Sequence, residues 1–330
     1  MKFTTFLAVL ACASTIIAGC GGSEAGNGAA TKAPTVGFVQ AIEDATIDEA
    51  RAGFYDALRE AGYSEDSGTV KLIYRNAQGD AAALNQILDY FIAEDVDLIG
   101  ANTTLAMITA ANKTSSIPIF MMVAPSPEIA KLTKPDSAGN QAAPANLAGT
   151  YETLAYIDTS VALITQVFPN ARRVGTIFNS SEPNSVNSME RLRARCSALG
   201  LELVEASVTS SNETQQVVQS LLGRGIDVFF ALPDNIIFSS FETMLKETME
   251  RKVPIVTSEA GLVKRGAFIA YGADFYQWGH QAGESAAKYL KSGDLKSAPL
   301  EPVRLRKRTY NPQTAESLGL PAPAGFEPLQ

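Results

Sequence analysis

Arg173-Val174-Gly175-Thr176-Ile177-Phe178, running on into Asn179-Ser180-Ser181-Glu182-Pro183-Asn184-Ser185, is the stretch on which the fold turns. Its first half has the β-branched and apolar content of a buried strand. From Phe178 to Ser185, six of eight side chains are polar, and nothing about packing asks for them. They stand where a strand meets a helix, and carboxyl ends of strands in open α/β sheets are where ligands dock. The helix is expected from Asn187, an N-cap with Glu190 three residues on, and its free backbone N–H groups would add an anion site. A solvated loop of turn and capping residues has the same composition. A similar loop, however, occurs earlier in the chain.

Working outward, the same order of signals occurs twice. Residues 36–39 read as a buried strand, followed by polar Gln40, Glu43 and Asp44. Thr46 with Glu49 forms a capping box for a helix burying Ile47, Ala50, Phe54, Ala57, Leu58 and Ala61, and Gly62 ends it. Residues 70–74 form the next strand, and a helix after Asp80 buries Leu84, Ile87, Leu88, Phe91 and Ile92. A third strand at 96–100 leads to Asn102, Thr103 and Thr104, and a fourth at 117–123 leads to Pro125 and Ser126. After the central stretch come a helix over 189–199, a strand at 201–204, a helix capped near Asn212 and a strand at 225–230 that ends in Pro233, Asp234 and Asn235.

Alternating strands and helices force parallel sheets with right-handed crossovers, so the fold class is α/β with two doubly wound lobes. The chain is expected to pass between lobes first at 148–150, with 131–149 mostly surface loop. Residues 268–272 form a late strand, and Asp274 caps a helix through Phe275, Trp278, Ala282, Ala286, Tyr289 and Leu290. Residues 34–148 with 273–300 are assigned to lobe 1, 149–272 with 301–312 to lobe 2, and 313–330 to a C-terminal tail. Both lobes suit the length left after the N-terminal segment.

That segment is not part of the fold. Lys2 precedes an apolar run over 3–18, of the length of a signal-peptide core and too short for a permanent span. Ile17-Ala18-Gly19-Cys20 resembles a bacterial lipobox, which makes 1–19 a signal peptide and Cys20 a lipid anchor, with ordinary cleavage as the alternative. Residues 20–33, rich in Gly and Ala, form a flexible tether. Removing Lys2 with the signal changes the net charge from −8 to −9, which argues against a nucleic-acid partner. Of three cysteines, only Cys196 would remain in the folded part, at helical spacing with Met189, Leu192 and Leu199. It is a core residue, and no intramolecular disulfide forms. No other segment is apolar enough to span a membrane.

His280 is the only histidine, and a lone histidine is expected to have a structural or exposed role. Phosphate-cradle motifs are missing as well, so neither catalysis nor a cofactor or metal is expected. The strand ends instead offer Gln40, Glu43, Thr103, Thr104, Ser126, Asn179, Ser180, Glu182, Asn184, Asp234, Asn235, Glu259 and Asp274. Hydroxyls and helix N-termini suit a ligand carboxylate, and an acidic side chain suits an ammonium. Each residue alone also has a capping or turn explanation. Phe178, Tyr271, Phe275 and Trp278 are candidates to stack on a planar ligand, or core residues.

The runs Val36-Gly37-Phe38-Val39-Gln40, Ala77-Gln78-Gly79-Asp80, Asn179 to Ser185, Pro233-Asp234-Asn235 and Val263-Lys264-Arg265-Gly266-Ala267 resemble those of ABC-transporter substrate-binding lipoproteins, a family that includes tryptophan and tyrosine binders. The resemblance runs from about Thr35 to about Pro321. It implies the type I periplasmic-binding-protein fold, with two lobes, a hinge of three crossovers and a small-molecule ligand closed between them. It also implies an extracytoplasmic monomer serving an ABC permease and its ATPase, held to the membrane only by its lipid. Two departures stand out: Glu43-Asp44-Ala45 where the family reads Glu-His-Pro, and Pro125-Ser126-Pro127 where it reads Thr-Asp-Pro. A lipoprotein signalling to a membrane kinase, and a hydrolase using paired carboxylates such as Glu182 and Asp234, are the alternatives.

Overall fold

The computed structural model describes residues 32–136 and 138–329. The expected signal peptide, Cys20 and nearly all of the tether lie outside them. Among the described residues no helix is long and apolar enough to cross a membrane.

The first sheet contains β1 (Thr35–Gln40), β2 (Lys71–Asn76), β3 (Leu98–Asn102), β4 (Ile119–Met122) and β5 (Leu147–Tyr151). Their order is β2-β1-β3-β4-β5, every pairing is parallel, and Gln40, Asn76, Asn102 and Met122 come level at the carboxyl edge. The connecting helices are α1 (Ala45–Glu60), α2 (Ala81–Ala93) and α3 (Thr104–Lys113). After α4 (Tyr156–Val167), the second half repeats the plan. It comprises β6 (Arg173–Asn179), α5 (Pro183–Leu199), β7 (Glu202–Val208), α6 (Thr214–Gly223), β8 (Val228–Ala231), α7 (Asn235–Ser239), α8 (Phe241–Glu250), β9 (Ile255–Thr257), α9 (Ala260–Lys264) and β10 (Ile269–Ala273). Its parallel order is β7-β6-β8-β9-β10. Strands buried on both faces read as continuous apolar runs, as Val228–Ala231 does.

The last helix, α10 (Phe275–Ser292), returns to the first lobe and lies along α1. Glycines let the two backbones touch: a Cβ at Gly279 would overlap the carbonyl oxygen of Ala50. The two-residue strand β11 (Glu301–Pro302) then extends the first sheet beside β5. β12 (Arg306–Tyr310) joins the second sheet antiparallel to β10.

The chain therefore passes between lobes three times, at 152–155, at Asp274 and at 303–305. Ion pairs tie these passages together. Arg306 holds the buried Glu152 through two bonds of 3.0 and 2.7 Å, and Lys307 reaches Asp274 at 2.9 Å.

Four local expectations are corrected. Residues 148–150 are not a crossover but lie inside β5, because Leu147 and Ala148 are buried against the first sheet. Residues 313–329 are not a tail separate from the lobes. They contain most of α11 (Pro312–Leu318) and the edge strand β13 (Glu327–Pro328), which pairs with β12. Asp44, not Thr46, caps α1, accepting from Thr46 N at 2.9 Å and Ile47 N at 3.2 Å. Finally, α5 begins at Pro183 rather than Asn187, since proline suits the first helical position, where its missing N–H costs nothing. The second half of the Asn179–Ser185 stretch is thus the first turn of a helix.

Candidate functional site

Between the lobes lies a tightly closed cavity of about 20 Å³, far less than the roughly 300–1,000 Å³ typical of small-molecule sites, so its walls must part to admit a ligand. The first lobe supplies Thr104, Val123, Ala124 and Pro125 from strand ends, and Phe275 and Trp278 from the first turns of α10. The second supplies Tyr156, Asn184, Pro233, Asn235, Phe238 and Glu259, with Leu154 contributed by the first crossover. Phe275 meets Trp278 edge-on at 5.7 Å and Phe238 at 5.8 Å. The indole N–H of Trp278 donates to Thr150 O at 2.9 Å, which fixes the ring as a wall of the cavity.

Backbone strain concentrates at this wall. Val123 and Leu154 have φ of 50° and 61°, and Thr103, just before Thr104, has φ of 89°. Left-handed conformations in bulky residues cost on the order of 1–3 kcal/mol each and cluster at ligand sites.

The polar groups of the cavity are few and incompletely paired. Glu259 Oε1 accepts from the Tyr156 hydroxyl at 2.7 Å and from Ser258 at 3.1 Å. Its Oε2 has no partner among the described residues, and neither have Asn184 Oδ1 and Thr103 Oγ1. Burial lifts the Glu259 carboxyl to about 8, with the nearby Glu152 adding to the rise. The Tyr156 hydroxyl is pushed well above its ordinary value, first by burial and then by Glu259. Among the described residues lining the cavity none is basic.

A larger groove of about 600 Å³ opens beside it, lined by Glu43, Gln78, Asn179, Glu182, Ser210, Asn235 and neighbours from both lobes. Glu182 accepts from the side-chain amides of Asn179 at 3.1 Å, Asn184 at 3.4 Å and Asn235 at 2.9 Å. Burial, then the charge of Asp234, raises its carboxyl to about 7.

The thirteen residues singled out in the sequence therefore separate into three groups. Thr104, Asn184, Asn235 and Glu259 line the cavity, while Glu43, Asn179 and Glu182 line the groove, which Asn235 shares. The others lie elsewhere. Asp234 is buried and fully occupied: it accepts from Asn179 N at 2.7 Å and from Ser185 Oγ, and caps α7 through Ile236 N and Ile237 N. It braces the site from beneath and is among the lining residues of neither the cavity nor the groove. Gln40 is a core bridge to Ile42 O and Asp48, and Ser126 joins the first crossover through Glu152 O. Asp274 caps α10 and pairs with Lys307. Ser180 is exposed, and Thr103 is buried behind Thr104. Of the aromatic candidates, Phe275 and Trp278 line the cavity; Phe178 packs under Arg193, and Tyr271 under Arg308. Nothing in the sequence distinguishes Tyr156, Phe238 and Leu154, because an apolar cavity wall has the same composition as core.

Residues 35–324 match the family of ABC transporter substrate binding proteins. The chain is 32% identical over 290 residues to a tyrosine-binding protein of Clostridioides difficile, covering 88% of this chain and 82% of that one. It superimposes on an ABC domain from Streptococcus pneumonia in complex with L-Trp with a TM-score of 0.80 at 25% identity, covering 90% and 99% of the two chains. Against the ligand-free, open structure of a substrate-binding protein from Clostridium difficile, at 29% identity and the same coverage of 90% and 99%, the TM-score is 0.65. The chain belongs to the ABC transporter substrate-binding proteins, extracytoplasmic proteins that bind small molecules and work with an ABC permease.

Proposed function

We propose that this protein captures a free aromatic amino acid between its lobes and delivers it to its permease. The observation that carries this is the cavity wall, where Phe275 and Trp278 from one lobe face Tyr156 and Phe238 from the other around a few unpaired polar atoms. A ring between these side chains touches both lobes at once, so only the closed form gains its full contact. The C. difficile and S. pneumonia relatives, named for tyrosine and L-Trp, support this ligand class. Ligand capture requires no bond to be made or broken, so the ligand is returned unchanged.

The protein acts as a monomer hinged at its three crossovers, and Cys20 carries the lipid that keeps it at the membrane. Replacing Cys20 by Ala should release it into the soluble fraction, and continued lipid labelling of the variant would remove the anchor from this proposal. Titration with the common amino acids tests the ligand class: tyrosine, tryptophan or phenylalanine should bind, and exclusive binding of sugars or aliphatic amino acids would reject it.

A further inference from the structure

We infer that Asn184 and Glu259 together form a subsite for a protonated primary amine on the ligand. This rests on the reading of the cavity as the ligand site. Asn184 is 7% exposed and Glu259 0%, both line the cavity, and Asn184 Oδ1 and Glu259 Oε2 have no partner among the described residues. Buried acceptors without donors are costly, and a native site that keeps two of them in one small cavity is built for a group that brings N–H bonds.

The orientation of Asn184 is settled by its surroundings. Its side-chain nitrogen donates to Pro233 O at 2.7 Å and to Glu182 at 3.4 Å. The Pro233 carbonyl only accepts, so the amide nitrogen must face it, and the carbonyl oxygen must be the unpaired atom. Glu182 also accepts from Asn235 at 2.9 Å. Glu259 is held on its other oxygen by Tyr156 and Ser258. Glu152, close by, is held by Arg306 at 2.7 Å.

The cavity therefore presents the Asn184 carbonyl oxygen, a carboxyl that a cationic group would hold in its ionised form, and no basic side chain. A primary ammonium has three donors and a positive charge, which satisfies both oxygens. A quaternary ammonium has no N–H and leaves them unpaired. A carboxylate alone would be repelled once Glu259 ionises.

The test compares two ligand pairs that differ only by the amine: tyrosine against 3-(4-hydroxyphenyl)propanoate, and leucine against 4-methylpentanoate. Calorimetry on the whole protein should show the amine-bearing member of whichever pair binds to be at least about a hundredfold tighter, because a site built for a donor rejects the analogue lacking it. In Glu259→Gln and in Asn184→Ala, each checked for an unchanged melting temperature without ligand, the preference within a pair should shrink tenfold or more while the des-amino analogue holds its affinity. Equal affinity within a pair in the unaltered protein would overturn the subsite, as would variants that weaken both members alike. If only the leucine pair binds, with the amine preferred, the subsite stands and the aromatic reading fails. If the tyrosine pair binds without preference, the aromatic reading stands and the subsite fails. If no member of either pair binds, both are wrong.

Discussion

Arg265, just past α9 in the second lobe, places Nη1 2.6 Å from Oδ2 of Asp44, the buried cap of α1 in the first lobe. The guanidinium also grips Glu242 at 2.8 Å and Phe238 O at 2.9 Å, so it ties the closing edge to a residue of the cavity wall. Beside it, Lys264 meets Glu49 at 2.6 Å.

Lobe separation must break this pair. Asp44→Asn keeps the helix cap, because Asn caps as well as Asp, but removes the charge from the contact. It should lower ligand affinity by about 1–2 kcal/mol, mostly as faster release, and shift small-angle scattering of the liganded protein towards the open form. Unchanged release kinetics would show that the pair does not hold the lobes together.

Phe238 offers a test of the ring wall. Phe238→Leu keeps most of the apolar volume and loses the edge-on ring contact. Affinity for an aromatic amino acid should fall by about 0.5–1.5 kcal/mol, and aliphatic amino acids should lose less. Competition binding gives both numbers in one experiment.

The pH dependence has a definite sign. A carboxyl raised to about 8 in the folded protein, against an ordinary value near 4.5, holds a proton that the unfolded chain has given up over that interval. Its contribution to stability is complete below about 4.5 and is lost as pH rises through about 8. A ligand ammonium favours the ionised form, so binding releases a proton and tightens as pH rises through the same window. Calorimetry in two buffers of different ionisation enthalpy should show proton release at pH 7 in the unaltered protein and far less in Glu259→Gln. Glu182, raised to about 7 by burial and by Asp234, adds to the stability slope, so the difference between the two proteins is the informative quantity.

Asp234 should behave as a structural residue. Asp234→Ala leaves the Asn179 and α7 backbone donors and the Ser185 hydroxyl without an acceptor. Each buried polar group so stranded costs about 1–3 kcal/mol. Denaturant unfolding should reveal a loss of several kcal/mol in total, with ligand selectivity preserved in whatever protein remains folded. A stable variant that has lost only affinity would move Asp234 into the ligand shell.

The layout of the lobes was legible because buried parallel strands are apolar runs and the helices between them carry a 3.6-residue stripe, as in Ile47, Ala50, Phe54 and Leu58. Local starts were less so. Asp44 and Thr46 are both acceptable caps, and only the fold decides which oxygen reaches the first turn. The two-residue β11 is too short to show a period, which hid where the third crossover falls. At the site, polar residues at strand ends were visible, but their direction was not: Glu259 and Asn184 turn into the cavity while Asp234, equally polar, turns beneath it. The left-handed φ of Val123 and Leu154 has no trace in their side chains, since neither is a glycine or an asparagine.

Native mass spectrometry of the gently purified protein, followed by identification of the small molecule it releases, tests the central claim most directly. One aromatic amino acid per chain, released chemically intact, is the predicted result. A tightly held compound with neither a ring nor an amine, or a chemically altered product, would contradict it.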